Sequence, residues 1–320
     1  MSRVLVIAEQ QGGALHRMSL ETVAAGQSLG GELIVAVMGA GAAGAAQSLG
    51  GYRAAKVVVL DHPALGVYTA AAAVQALAWV IAAEKPDVVL LPHTYRTRDF
   101  APRLAARLGR PLVSDAVSVA MDEKGLVVER QLFQGKMAGT FRCDSSGPAI
   151  VTIQAGAYRA DLAEAGTAPV TTVAPELGEL GPSAVPGEPY RESARTVDLS
   201  AAERIVAAGR GIKEEGNLEI VKELAEALGA ELAASRPICD NGWMGMERQV
   251  GSSGQTVAPK LYVAVGISGA IQHIVGMKGS KCIVAINRDP DAPIFESADY
   301  GIVGDLFDVV PAIVKELRRV

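Results

Sequence analysis

The sequence predicts an α/β protein of two domains, and three observations predict it. Short apolar runs rich in β-branched residues alternate with amphipathic runs at helical spacing, the pattern of parallel strands covered by helices. That alternation occurs twice, on either side of a segment rich in Pro and Gly. The composition joins 35 glycines to only 4% aromatic residues, which suits helices lying close on strands. The expected architecture is an N-terminal doubly wound, mostly parallel sheet with an antiparallel extension over residues 1–185. A linker over 186–202 and a smaller α/β domain over 203–320 follow.

In the first domain RVLVIAE, ELIVAVMG, KVVVLDH and DVVLLPH read as parallel strands. Each is followed by a helical run: LHRMSLETVAAGQSLG, a short Ala/Gly helix, YTAAAAVQALAWVIAAEK and DFAPRLAARLG. Gly12-Gly13 and Gly39 through Gly44 follow strands and leave two readings open, a phosphate cradle or tight turns against packed helices. Gly39 to Gly44, GAGAAG, spell GxGxxG, whereas GxxxxGK[ST] is absent. From Pro111 the period changes to two, and VSVAMD, LVVERQLF, KMAGTFRC and AIVTIQAG predict antiparallel strands joined by short turns. Residues 174 to about 200 carry Pro and Gly without apolar periodicity and read as a linker.

The second domain opens on the strand RIVAAGRGI, the helix NLEIVKELAEALG and the strand AELAASR. About two dozen residues with few periodic signals follow, PICDNGWMGMERQVGSSGQTVAPK, and a loop of that length between packed elements predicts function. Three strand-then-helix units then run from Leu261 to Pro311, with strands LYVAVG, KCIVAIN and YGIVG expected to be buried on both faces. Strand-to-helix junctions and the loop present Arg210, Ser235, Arg236, Ser268, Gly269, Asn287 and Asp305 at one sheet edge. Two arginines and a helix N-terminus suit an anion, and Asn and Asp suit hydroxyls and ring nitrogens. Helix capping is the competing reading for Ser268 and Asp305. His273, one turn into the helix after Gly269, is either a core histidine or a ligand at that edge.

Other classes are excluded by what is absent. Net charge is -5 with scattered Lys and Arg, so there is no footprint for nucleic acid. Cys143, Cys239 and Cys282 share no metal-ligand spacing and predict a reducing compartment. No run reaches ~18 uninterrupted apolar residues and no secretory leader opens the chain, so a cytoplasmic protein without direct membrane insertion is expected. GxSxG occurs once, as GQSLG at Gly26 to Gly30, but at the end of a helical run and not at a strand-to-helix turn; HExxH and CxxC are absent.

VAVGISGAIQHIVGM followed by AINRDPDAPIFESADYGIVGDLFDVVP resembles the FAD-binding domain of the alpha subunit of electron transfer flavoprotein. The resemblance is dense from GRGI to the C-terminus and takes in ASR at Ala234–Arg236 and QVG with VAPKLY between Gln249 and Tyr262. It implies a Rossmann/flavodoxin-like FAD-binding domain, a heterodimer with a beta subunit that carries AMP or a second FAD, and an electron carrier rather than an enzyme with its own substrate. Electrons would come from flavin dehydrogenases and pass to a quinone oxidoreductase or similar acceptor. The flavin contacts it implies are Arg210, Ser235, Arg236, Val250, Gly251, Ser252, Ser253, Ser268, Gly269, Ala270, Ile271, Gln272, His273, Asn287, Asp305 and Leu306. Ser252-Ser253 departs from the Gln-Thr common in the family, which keeps a hydroxyl and loses an amide.

Negative charge gathers at N1 and the C2 carbonyl of a flavin on reduction, so a cation or N–H donor there raises its potential. His273 suits that end, Arg236 the ring plane and Ser253 the N5 edge. Two other functions stay open at this stage: an electron-bifurcating relative with a second FAD on the beta chain, and an NAD-dependent enzyme, against which the missing acid/base pair weighs.

Overall fold

Fully apolar strands in this chain lie between layers of helices, and they belong to two separate sheets. The structure is a computed structural model that describes residues 2–133, 135–143, 147–180, 185–187 and 199–319. The chain divides into Met1–Leu132 with Lys136–Tyr190, and Phe133–Gly135 with Arg191–Val320. The linker expected over 186–202 falls largely on 188–198, outside the described residues.

The first unit contains β1 (Arg3–Ala8), β2 (Gln10–Gln11), β3 (Ala14–Leu15), α1 (Arg17–Ser28), β4 (Glu32–Met38), α2 (Ala42–Leu49), β5 (Lys56–Leu60), α3 (Ala70–Glu84), β6 (Val88–Pro92) and α4 (Tyr95–Arg107). It continues with β7 (Leu112–Asp122), β8 (Gly125–Leu132), β9 (Met137–Arg142), β10 (Ala149–Ile153) and β11 (Val170–Val173). Nine strands form one sheet in the order β11-β5-β4-β1-β6-β10-β7-β8-β9. Alternate residues of β1 serve opposite cores: Val4 and Val6 pack with α1 and α2, and Leu5 and Ile7 with α3 and α4.

Two expectations are corrected here. AIVTI is not antiparallel: as β10 it inserts between β6 and β7, parallel to both. Its five residues are all buried, which a strand covered on both faces requires and an alternating one does not. Only β7, β8 and β9 form the antiparallel extension. The edge strand β11, parallel to β5, was not expected, because VTTV is short, mostly exposed and polar at its centre.

The second unit contains β12 (Arg204–Ala208), α5 (Leu218–Leu228), β13 (Glu231–Ala234), α6 (Arg236–Asp240), β14 (Leu261–Val265), α7 (Ile271–Met277), β15 (Ile283–Asn287), β16 (Tyr300–Val303) and α8 (Leu306–Leu317). The sheet is wholly parallel, in the order β13-β12-β14-β15-β16. The winding reverses between β12 and β14. Val206, Val263 and Ile286 face α5 and α8, while Ile205, Tyr262 and Ala285 face Met277 of α7 and Ile294.

Here too the strand-then-helix reading needs correction. β15 is followed by a 3-10 turn at Pro293–Ser297 in place of an α-helix, since Pro290 and Pro293 lack the N–H groups a helix interior uses. YGIVG, expected to be buried on both faces, is the half-exposed edge strand β16. The long loop opens with the short helix α6 and contains a 3-10 turn at Met246–Arg248.

Candidate functional site

A cleft of about 800 Å³ opens at the carboxyl edge of the five-stranded sheet. In an open parallel sheet the loops on either side of a reversal in strand order diverge, and the crevice between them is where ligands bind. The turns after β12 and β14 are pressed together at this point. Gly211 N–H donates to the Gly266 carbonyl at 2.9 Å. A Cβ on Gly211 would lie 2.7 Å from Gly266 Cα, and Gly266 has φ +64°, so both positions require glycine. This contact leaves Arg210 and Ser268 exposed at the rim.

The opposite wall comes from β13 and the loop behind it. Ser235 is buried and ties β13 to β12 through its N–H on the Ala208 carbonyl at 2.9 Å. Arg236 begins α6 with an exposed side chain whose Nε donates to Asp240 Oδ2 at 3.2 Å, which partly offsets its charge. Val250 N–H returns the chain to the Ala234 carbonyl at 3.0 Å, and Ser252 N–H donates to the Gln272 carbonyl at 2.8 Å. The Val250–Ser252 segment therefore lies on α7, where Gly276 has no Cβ to hold it off; one there would come within 2.5 Å of Gly251 Cα. Gln249 Nε2 donates to Ser253 Oγ at 3.0 Å, which occupies a lone pair and leaves the hydroxyl hydrogen for another acceptor.

Helix α7 has no side-chain cap at its start. Ala270 and Gln272 face the cleft. His273 is buried at 6% exposure, and its Nε2 lies 2.9 Å from the Tyr262 hydroxyl. Burial pushes its pKa down to about 4, and the Val250 backbone works the other way without offsetting it. The ring is neutral near pH 7, so of the two roles expected for it the cation is excluded and the N–H donor remains. Its Nδ1 has no partner among the described residues, nor has Gln249 Oε1, and both residues line the cleft.

Asn287, at the end of β15, spends both ends of its amide within the protein. Nδ2 donates to the Ile267 carbonyl at 2.8 Å and Oδ1 accepts from Asp289 N–H at 3.0 Å. It holds the turn after β14 in place. Asp305 caps α8 by accepting from Phe307 N–H at 3.0 Å, and Leu306 packs beneath it. Of the sixteen residues expected at the site, all but Gly269 and Ile271 line the cleft. Gly269 lies under the 3-10 turn, where a Cβ would meet Ile294 Cα at 2.6 Å. Ile271 is half exposed and faces away.

Sequence reasoning missed Lys213, Asp240, Gln249, Arg288 and Asp289, which also line the cleft. Arg288 and Asp289 directly follow Asn287 at a strand end, a signal available in the sequence. Lys213, at φ +71° with its ammonium 4.8 Å from the centre of the Phe307 ring, was signalled only by its place in GRGIK.

The electron transfer flavoprotein domain model matches residues 4–177, and the electron transfer flavoprotein FAD-binding domain model matches residues 198–278. The electron transfer flavoprotein subunit alpha of Bacillus subtilis (strain 168) is 41% identical, over 99% of this chain and 98% of the relative. The subunit of the same name from Thermoanaerobacterium thermosaccharolyticum is 37% identical over the same shares. The chain belongs to the electron transfer flavoprotein alpha-subunit family. It is also 35% identical to the acryloyl-CoA reductase electron transfer subunit beta of Anaerotignum propionicum, over 99% of this chain and 95% of that one. Electron transport by a flavoprotein is the function that membership in this family carries. The FAD-binding model stops at residue 278, so the cleft draws Asn287, Arg288, Asp289, Ala292, Pro293, Asp305 and Leu306 from beyond the matched segment. No helix among the described residues is long and apolar enough to cross a membrane.

Proposed function

We propose that this chain holds FAD in the cleft of its second unit and works as a heterodimer with a beta subunit, taking electrons from flavin dehydrogenases and passing them to a quinone oxidoreductase or similar acceptor. The observation that carries this reading is a cleft lined by His273 and Gln249, each with a buried polar atom that has no partner among the described residues, beneath a rim bearing Arg210, Lys213, Arg236 and Arg288. Such a lining asks for a ligand with matching acceptors and donors, and such a rim asks for an anion. The strand order, with the first strand of the unit between the second and third, supports a flavodoxin-like reading of the domain.

FAD, when bound, supplies the exchange of one or two electrons. The chain supplies binding and electrostatics. Arg210, Ser268 and the uncapped start of α7 at Ala270 and Gln272 would hold the pyrophosphate. Asp305 and Leu306 would border the adenosine, with Asn287 fixing the turn between them. Ser235, Arg236, Val250, Gly251, Ser252, Ser253 and His273 would surround the flavin, with Ser253 and His273 as donors at its edges. No acid/base pair is required, because electrons move and no substrate bond is broken on this chain.

The test is co-expression with the beta subunit, followed by flavin absorbance and nucleotide analysis. One FAD is expected on this chain, and the beta subunit should add either AMP or a second FAD. Arg210→Glu should lower FAD affinity at least tenfold by setting a carboxylate against the pyrophosphate. A colourless heterodimer, or full flavin retention in Arg210→Glu, would overturn the reading.

A further inference from the structure

Tyr262 lies in the middle of the second sheet with none of its surface exposed, and its hydroxyl makes one hydrogen bond among the described residues, to His273 Nε2 at 2.9 Å. The two rings are tilted by 59° with centroids 6.1 Å apart, so the contact runs through the hydroxyl and the ring edge. A buried phenol brings one hydrogen that must find an acceptor, and a neutral imidazole brings one donor nitrogen and one acceptor nitrogen. Two arrangements are possible. If Nε2–H donated to the phenol oxygen, the phenol hydrogen would be buried without an acceptor. If the phenol donates to Nε2, every group at the contact is satisfied and the imidazole hydrogen must sit on Nδ1.

We propose that Tyr262 is a positioning residue that fixes the tautomer of His273, holding the hydrogen on Nδ1 so that the imidazole presents a donor to the cleft. The inference deepens the proposed function and rests on it for what the donor meets, an electron-rich acceptor such as the C2 carbonyl edge of the flavin. Its structural half, the tautomer, stands on the contact alone. Burial raises the Tyr262 pKa, so the phenol keeps its hydrogen, and burial lowers that of His273, so the ring stays neutral. The outcome is a donor of fixed direction whose strength does not depend on titration near neutral pH.

The experiment uses the full chain with its beta subunit, labelled with nitrogen-15 at histidine, and reads the ring nitrogens in long-range proton–nitrogen spectra. The chain has four histidines, and His273→Gln assigns the signal. The parent should show His273 as a single neutral tautomer with the hydrogen on Nδ1. Tyr262→Phe, which removes one oxygen and keeps the ring, should convert it to a mixture or to the Nε2–H form, as free imidazoles prefer. A parent signal with the hydrogen on Nε2 overturns the proposal, and so does an unchanged tautomer in a folded Tyr262→Phe protein. Should that variant fail to fold, the parent spectrum still decides. Flavin content is measured separately: a colourless protein with the Nδ1–H tautomer would sink the cofactor reading and leave the positioning role of Tyr262 intact.

Discussion

His273 shows what a residue's surroundings add to its place in the sequence. Its position one turn into the helix after Gly269 was legible, and the structure puts it at the cleft. Its neutral state was not, because that follows from burial of the ring by elements distant in the sequence, Tyr262 of β14 among its neighbours, against the opposing pull of Val250. The consequence is a pH dependence with a definite sign. The folded pKa is about 4 against an ordinary 6.5, so between those values the unfolded chain binds the proton that the folded chain refuses. Stability therefore falls as pH drops from 6.5 towards 4, by about 3 kcal/mol at about 1.4 kcal/mol per pKa unit. His273→Gln should remove that slope. Urea unfolding of parent and variant at pH 7.5 and pH 4.5 checks it, and equal slopes would mean that the ring takes up its proton in the folded state.

At the scale of elements, the chain announced its strands better than their partners. β12, β14 and β15 are apolar runs closed by Gly or Asn, and β1, β4, β5 and β6 are equally plain. The parallel insertion of β10 was written only in the lack of alternation in AIVTI, and pairing across the hairpin of β8 and β9 cannot be read from local spacing. The docking of the Val250–Ser252 segment on α7 was likewise hidden, since its signal is one glycine inside a helix. Helix propensity alone would make Gly276→Ala stabilising by up to about 1 kcal/mol. The added methyl would, however, meet Gly251 backbone within 2.5 Å, and backbone on both sides cannot step aside as a flexible side chain can. Gly276→Ala should therefore lose about 1–3 kcal/mol of stability, as overpacked sites do, and bind FAD more weakly because Gly251 and Ser252 are displaced. Gly216→Ala is the control, with nothing within 4 Å of the added Cβ and an expected change within about 0.5 kcal/mol. Thermal melts and flavin titration of both variants decide, and a Gly276→Ala protein as stable as Gly216→Ala would count against the docking.

At the scale of the molecule, the nine-stranded sheet of the first unit ends on β9, an edge strand whose N–H and C=O groups on one side pair with no strand among the described residues. Met137 and Phe141 lie four residues apart and so, by the alternation, on the same face of this strand, at 59% and 40% exposure. Natural edges are protected by charge, proline, bulges or a covering element, and an exposed apolar edge is a template for self-association. The only charged residue of β9 is Arg142 at its far end, paired with Asp122 at 2.6 Å. The full chain expressed alone should therefore self-associate, and co-expression with a beta subunit should suppress this. The double variant Met137→Lys/Phe141→Lys tests the edge directly, because two exposed ammonium groups repel a second copy without touching either buried core. Light scattering over a concentration series should show growing particles for the parent chain alone and a constant size for the variant. A parent chain that stays monodisperse, or a variant that grows as fast, would move the cause of association away from this edge.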